Sequence, residues 1–298
     1  DPTSRYEIHY WVAQLEFSEN HVNQAKREWE QVKELGEEEN QPVWIINALL
    51  GLASCERNPA KALEALEEAN VLAEKNASEY LPRVKYYMGF AYRRKQDIEN
   101  AILWYKKARE DFRRNSDDKF LGARISNDLG YAHSQVGEWE ECLDNLKEGQ
   151  RVRQSLVDQF EKEVQDLKKT LKEPGDKASR GILKNALRRA EVNLSKARFQ
   201  LGLSFNTLGE IYRFRDDTPA SLRNYTYAIK LFKEEGQHNW HVRALFSRSE
   251  THRRSGWKMY REGNEGEFLR ENTLAENDCF ESLFLCRKYR VRDERDTA

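Results

Sequence analysis

Residues 88–108 read MGFAYRRKQDIENAILWYKKA, and their spacing decides the fold. Met88-Gly89 and Tyr92 lie within one helical turn. Ala101, Tyr105 and Ala108 then follow at the i, i+4, i+7 interval that sets three side chains on one face of a second helix. The glycine lets the second helix approach closely, and the large residue between two small ones fills the gap they leave. One such unit is a weak signal. Its significance comes from repetition.

The same skeleton returns as Leu129-Gly130 with Cys142, Leu146 and Gly149, and as Leu208-Gly209 and Tyr212 with Ser221, Tyr225 and Ala228. An earlier copy is Leu50-Gly51 with Ala62, Leu66 and Ala69. A weaker one is Val12-Ala13 with Ala25, Trp29 and Val32, and a half-legible last one is Cys279, Leu283 and Cys286. Equivalent small residues are separated by 38 (13 to 51), 38 (51 to 89), 41 (89 to 130) and 79 (130 to 209) positions. This pattern resembles the tetratricopeptide repeat family, whose unit is about 34 residues long. The longer units, with SNDLGYAHSQVGEW (126–139) and FNTLGEIY (205–212), are similar to those of kinesin light chains and related long-repeat adaptors.

Punctuation agrees. Asn58-Pro59 and Thr218-Pro219 each offer a cap residue followed by proline at the first helical position. Pro82 opens another helix, and Gly137 separates two. The expectation is an all-α chain of twelve helices in about six hairpins, wound as a right-handed superhelix with a concave inner face.

The step of 79 hides an insertion. From Glu138 to Lys172 the pattern stays helical without a stop, Glu173-Pro174-Gly175-Asp176 signals a turn, and a second long helix runs from about Lys177 to Arg215. Val152, Leu156, Phe160, Val164, Leu167 and Leu171 on the first arm face Leu183, Leu187, Ala190, Leu194, Ala197 and Leu201 on the second. Steps alternating between 4 and 3 make a heptad seam, so an antiparallel coiled-coil hairpin is expected. The organisation read from the sequence is therefore residues 1–137 as N-terminal repeats, 138–215 as a helical arm, and 216–298 as C-terminal repeats and capping helices.

Composition narrows the function. Charged residues make up 34% of the chain while Gly (15) and Pro (6) are scarce, and 7 Trp, 13 Tyr and 13 Phe need a packed interior. The net charge of −1 provides no global field for nucleic acid or an anionic membrane. No run of about 18 apolar residues reads as a transmembrane helix, and no signal peptide is legible. The chain opens Asp1-Pro2 rather than with Met, which points to a processed product or a piece of a longer protein. Cys55, Cys142, Cys279 and Cys286 show no metal spacing, and the last three fall on the small positions of the stripe, as buried thiols do. A reduced, cytoplasmic protein is the expectation.

No phosphate loop, GxSxG or HExxH is present, and His238 and His241 lack a partner to complete a metal set. We therefore expect no enzyme, no cofactor and no metal. In the family this chain resembles, a concave groove is lined by first-helix residues. The corresponding positions are Arg83, Tyr86, Phe90, Arg93 and Arg94, then Arg124, Asn127, Tyr131, Ser134 and Gln135, then Leu203, Asn206, Glu210, Arg213 and Phe214. Asn127 and Asn206 match the groove amides that hold a peptide backbone in such families. Five arginines against Glu210 predict an electropositive groove, suited to an acidic peptide or protein surface. Tyr86, Phe90 and Tyr131 read equally well as packing residues.

The implied function is a protein- or peptide-binding module, a sensor or adaptor. The irregular, aromatic-rich long repeats look similar to the C-terminal sensor arrays of signal-transduction NTPases with many domains. Two alternatives stand beside it. One is an oligomerisation scaffold that self-associates through residues 152–201. The other is an RNA-binding solenoid using Arg243, Arg248, His252, Arg253, Arg254, Lys258 and Arg261, with Trp257 and Tyr260 interleaved. The closing amphipathic helix pair of a solenoid explains that last stretch as well, so nucleic acid is disfavoured.

Overall fold

The computed structural model describes residues 2–173 and 177–291. Among the described residues there are twelve α-helices, one short 3-10 turn (Ser78–Tyr80) and no strand. The chain forms two compact units, Asp1–Asn145 and Leu146–Ala298. The first holds α1 (Pro2–Ser18), α2 (Val22–Glu38), α3 (Pro42–Cys55), α4 (Pro59–Asn76), α5 (Leu81–Arg94), α6 (Ile98–Asn115), α7 (Lys119–Gln135) and the start of α8 (Trp139–Thr170). The second holds the rest of α8, then α9 (Lys177–Phe214), α10 (Thr218–Glu234), α11 (His238–Arg261) and α12 (Glu265–Tyr289). From α1 to α7, and again from α9 to α12, each helix packs on its neighbours in the chain.

Side-chain caps explain five of the twelve starts among the described residues. The Asn58 side chain accepts from the Ala60 amide at 2.9 Å with Pro59 just inside the helix, and Asp97, Asp118 and Asn264 cap α6, α7 and α12 likewise. At α10 the cap is Asp217, whose carboxylate accepts from Ala220 at 3.0 Å; Thr218 is already helical. Gly137, at φ +79°, takes the left-handed conformation between α7 and α8.

The repeat stripe is the core. Ala62, Leu66 and Ala69 on α4, Ala101, Tyr105 and Ala108 on α6, and Ser221, Tyr225 and Ala228 on α10 are all buried. The first-helix glycines meet the large member of that stripe. A Cβ on Gly89 would lie 2.6 Å from the Tyr105 ring, and one on Gly209 would lie 2.9 Å from the Tyr225 ring. Gly51 differs, because its close neighbour is Trp29 of the preceding α2, with a would-be Cβ at 2.2 Å.

The last copy has a different register from the one expected. On α12 the buried residues are Ala275, Asp278 and Ser282, whereas Leu283 is 55% exposed and Cys279 and Cys286 are half-buried. The reason is polar. Asp278 accepts two hydrogen bonds from Arg248 on α11, at 2.6 and 2.8 Å, and that fork sets which face of α12 turns inward.

Helices α8 and α9 occupy the two long stretches read from the sequence, and they run antiparallel. Arg153 bonds Ser204, Glu161 pairs with Arg198 at 2.8 Å, and Lys168 pairs with Glu191 at 2.9 Å, so partners descend on α9 as they ascend on α8. All twelve seam residues are buried or half-buried. Arg198 also reaches Glu235 at 3.4 Å, tying α9 to the end of α10. Of the turn read at 173–176, residues 174–176 lie outside the described residues, as do residues 292–298 at the end of the third segment.

Candidate functional site

In the first unit, α5 and α7 place Arg83, Tyr86, Phe90 and Arg93, and then Arg124, Asn127, Tyr131 and Ser134, at i, i+3, i+7 and i+10. On a helix that interval defines one face. Arg93 bridges the two helices, its guanidinium 5.1 Å from the Phe90 ring centre and 5.5 Å from that of Tyr131. The Arg124 guanidinium lies 5.0 Å over the Tyr86 ring. These are cation–π distances, and each ring holds its guanidinium plane in a fixed position.

Beneath them is a layer whose anion, Asp128, sequence reasoning missed. Tyr86 is 1% exposed, and its hydroxyl donates to Asp128 at 2.6 Å. Tyr86 is therefore a packing residue that props Arg124. Burial pushes the Tyr86 hydroxyl well above its ordinary range, and the Asp128 carboxylate adds to the shift. Burial also raises the Tyr105 hydroxyl, with Asp128 again adding. Both phenols thus stay neutral through the physiological range. Asp128 sits in the electrostatic reach of Arg93 and Arg124, so two cations share one internal anion. The available signal was Asp128 four residues after Arg124, an i, i+4 pair on one helix.

The remaining arginines are engaged elsewhere. Arg94 donates to the carbonyls of Glu56 at 2.9 Å and Arg57 at 2.7 Å, closing the end of α3 where a cation suits the helix dipole. Arg83 pairs with Asp118 at 3.5 Å. The charge on this face is therefore smaller than five arginines suggest, and it concentrates at Arg93 and Arg124. A cavity of about 100 Å³ opens between α1, α3 and α5, with Gln14, Asn47 and Arg83 among its polar lining. No sequence pattern pointed to Gln14 or Asn47.

Asn206 and Arg213 belong to the second unit. There Arg213 lies 5.3 Å over the Phe214 ring, and the Asn206 Oδ1 and Arg213 Nε are buried without a hydrogen-bond partner. The basic stretch of α11 is largely paired. Arg248 is held by Asp278, His252 by Glu271 at 2.9 Å, and Arg253 and Arg254 by Glu250. Trp257 and Tyr260 pack with Phe268 of α12 at 5.5 and 5.1 Å. Among the described residues no helix is long and apolar enough to cross a membrane.

No protein-family model and no curated protein matches this sequence. Solved structures do. BtubC (BKLC) from P. vanneervenii superposes with a TM-score of 0.59 at 15% identity, over 88% of this chain and 91% of that one. A signal transduction ATPase with numerous domains, with a tetratricopeptide repeat sensor, from Pyrococcus horikoshii gives 0.55 at 12% identity over 97% of this chain. This chain spans 38% of that ATPase's length. The apo quorum sensor NprR from B. thuringiensis gives 0.52 at 13%, over 98% of this chain and 72% of that one. At these identities the likeness shows the fold, a tetratricopeptide-like helical repeat.

Proposed function

We propose that this chain is a non-enzymatic protein- or peptide-binding module, a sensor or adaptor, which takes an acidic peptide or protein surface on the α5–α7 face. The observation that carries this reading is the placement of Arg93 and Arg124 against the rings of Phe90, Tyr131 and Tyr86. The face of each guanidinium rests on a ring and part of its N–H edge meets a tyrosine hydroxyl, Tyr105 for Arg93 and Tyr86 for Arg124; the N–H groups that remain suit a carboxylate, which guanidinium forks favour over other acceptors. Two cations against Asp128 leave one net positive charge for the ligand to meet. Asn127, beside them, donates through Nδ2 to Asp128 at 3.4 Å, and its carboxamide occupies the position of the groove amides that hold a peptide backbone in the family this chain resembles.

The solved structures that share the fold include a repeat sensor and a quorum sensor, which supports the sensor reading. On that reading the chain is the recognition part of a larger signalling protein.

A second reading, self-association through the α8–α9 pair, is favoured by Ile182 and Val192, which are 72% and 60% exposed on α9. The two readings separate in one experiment. Wild type and Arg93→Glu/Arg124→Glu are used to capture proteins from native lysate, with and without nuclease, alongside Ile182→Lys/Val192→Lys. Proteins lost with the arginine variant support the proposal. Partners or dimers lost only with the lysine variant assign function to α8–α9. Nuclease-sensitive RNA as the retained species contradicts both.

A further inference from the structure

We infer that the cavity between α1, α3 and α5 is a subsite for an aliphatic side chain of the bound peptide, an inference that rests on the peptide-binding reading above. Its size sets the first limit. The space is about 100 Å³, less than the roughly 150 Å³ that accommodates benzene. A branched aliphatic group fits, and an indole does not.

The walls set the second. Trp29, Tyr10, Phe17 and Leu50 supply apolar surface. Trp29 is wedged over Gly51 and meets Tyr10 edge-on at 5.4 Å, so that wall has no slack. No carboxylate lines the cavity, and Arg83 at its edge is held by Asp118. A cationic side chain would face that arginine without a counter-charge, and an anionic one would have to compete with Asp118. A neutral apolar group meets neither cost.

The third is a fixed amide. Asn47 donates through Nδ2 to the Tyr6 hydroxyl at 3.2 Å, and Tyr6 is itself stacked on Trp44 at 4.5 Å. That bond fixes the plane of the carboxamide and leaves its oxygen to accept from a backbone N–H of the ligand. Ser54 does not compete, since its hydroxyl donates to the Leu50 carbonyl at 2.8 Å. Arg83 lies on the same helix as Phe90 and Arg93, so one extended peptide can place its aliphatic residue here and its carboxylates at the arginines.

A randomised peptide display library panned on the full chain tests this, followed by affinity measurements on Ser54→Phe, which fills the cavity, and Asn47→Ala, which removes the amide. Selected peptides should share one Leu, Ile, Val or Met position. Affinity should fall about tenfold or more in Ser54→Phe, and replacing that position by Ala should remove the difference between the proteins. If Ser54→Phe does not fold, as judged by circular dichroism, the same cycle with Asn47→Ala decides. Selected peptides with no aliphatic position, or with equal affinity for wild type and both variants, overturn the inference and leave the peptide reading intact. A library that yields no binder at all overturns the peptide reading itself.

Discussion

A Cβ at Gly89 would sit 2.6 Å from a ring atom of the fully buried Tyr105, a separation that real side chains do not tolerate. Helix propensity favours alanine there by about 1 kcal/mol, yet overpacking costs about 1–3 kcal/mol, and the ring has nowhere to go. We therefore expect Gly89→Ala to lower stability in denaturant titration, against the propensity trend. A variant as stable as wild type would mean that Tyr105 is not held against α5. His241 gives a pH prediction. Burial depresses its pKa below the ordinary 6.5, although Glu281 at 3.7 Å acts in the opposite sense. The unfolded chain then binds the proton first, so this contribution to stability is present above pH 6.5 and is lost as pH falls through and below it. Replacing His241 by Gln should flatten the acid limb of a stability-versus-pH curve. An unchanged acid limb would show that other groups set it.

At the scale of elements, what was legible followed from periodicity. The alternating 4 and 3 steps located the facing residues of α8 and α9, and the small-large-small stripe located the buried face of α4, α6 and α10. A seam is written in one helix at a time, so each can be read without knowing its partner. The face of α12 could not be read this way, because its inward residues include Asp278 and Ser282, which hydropathy assigns to solvent. The fork from Arg248, thirty residues away, holds Asp278 inward, and the Ser282 hydroxyl donates to the Cys279 carbonyl at 2.8 Å. The charge of the α5–α7 face was overestimated for a related reason. The sequence showed the arginines and, four residues after Arg124, Asp128; that Asp128 also reaches Arg93 and that Asp118 pairs with Arg83 becomes visible only once α5 and α7 lie side by side. The α12 fork makes its own prediction. Asp278→Ala removes the carboxylate from a half-buried guanidinium that keeps only its bond to Thr226 at 3.0 Å, at a cost of about 1.5–3 kcal/mol. Hydrogen exchange should show α12 opening sooner than α4. Asn58→Ala at the α4 cap should cost about 1 kcal/mol, with its effect confined to the start of that helix. Equal protection of α12 in wild type and Asp278→Ala would refute the fork as its anchor.

At the scale of the molecule, the proposed recognition face is built from side chains that the repeat itself positions. Gly89 against Tyr105 sets the spacing of α5 and α6, and the first-helix positions counted from the repeat glycines carry Arg93, Asn127 and Tyr131 on α5 and α7. The same positions on α9 bring Asn206 and Arg213 to the second unit, so the face recurs in kind while its residues change. On the proposed reading Arg93 and Arg124 bind carboxylates. Fluorescence anisotropy of a labelled acidic peptide recovered by display, titrated with wild type and with Arg93→Glu/Arg124→Glu at low and high salt, tests it most directly. Affinity is expected to be weaker by about tenfold or more in the variant, with a steeper loss with salt in wild type than in the variant. Equal affinities, or a salt dependence that the substitutions leave unchanged, would contradict it.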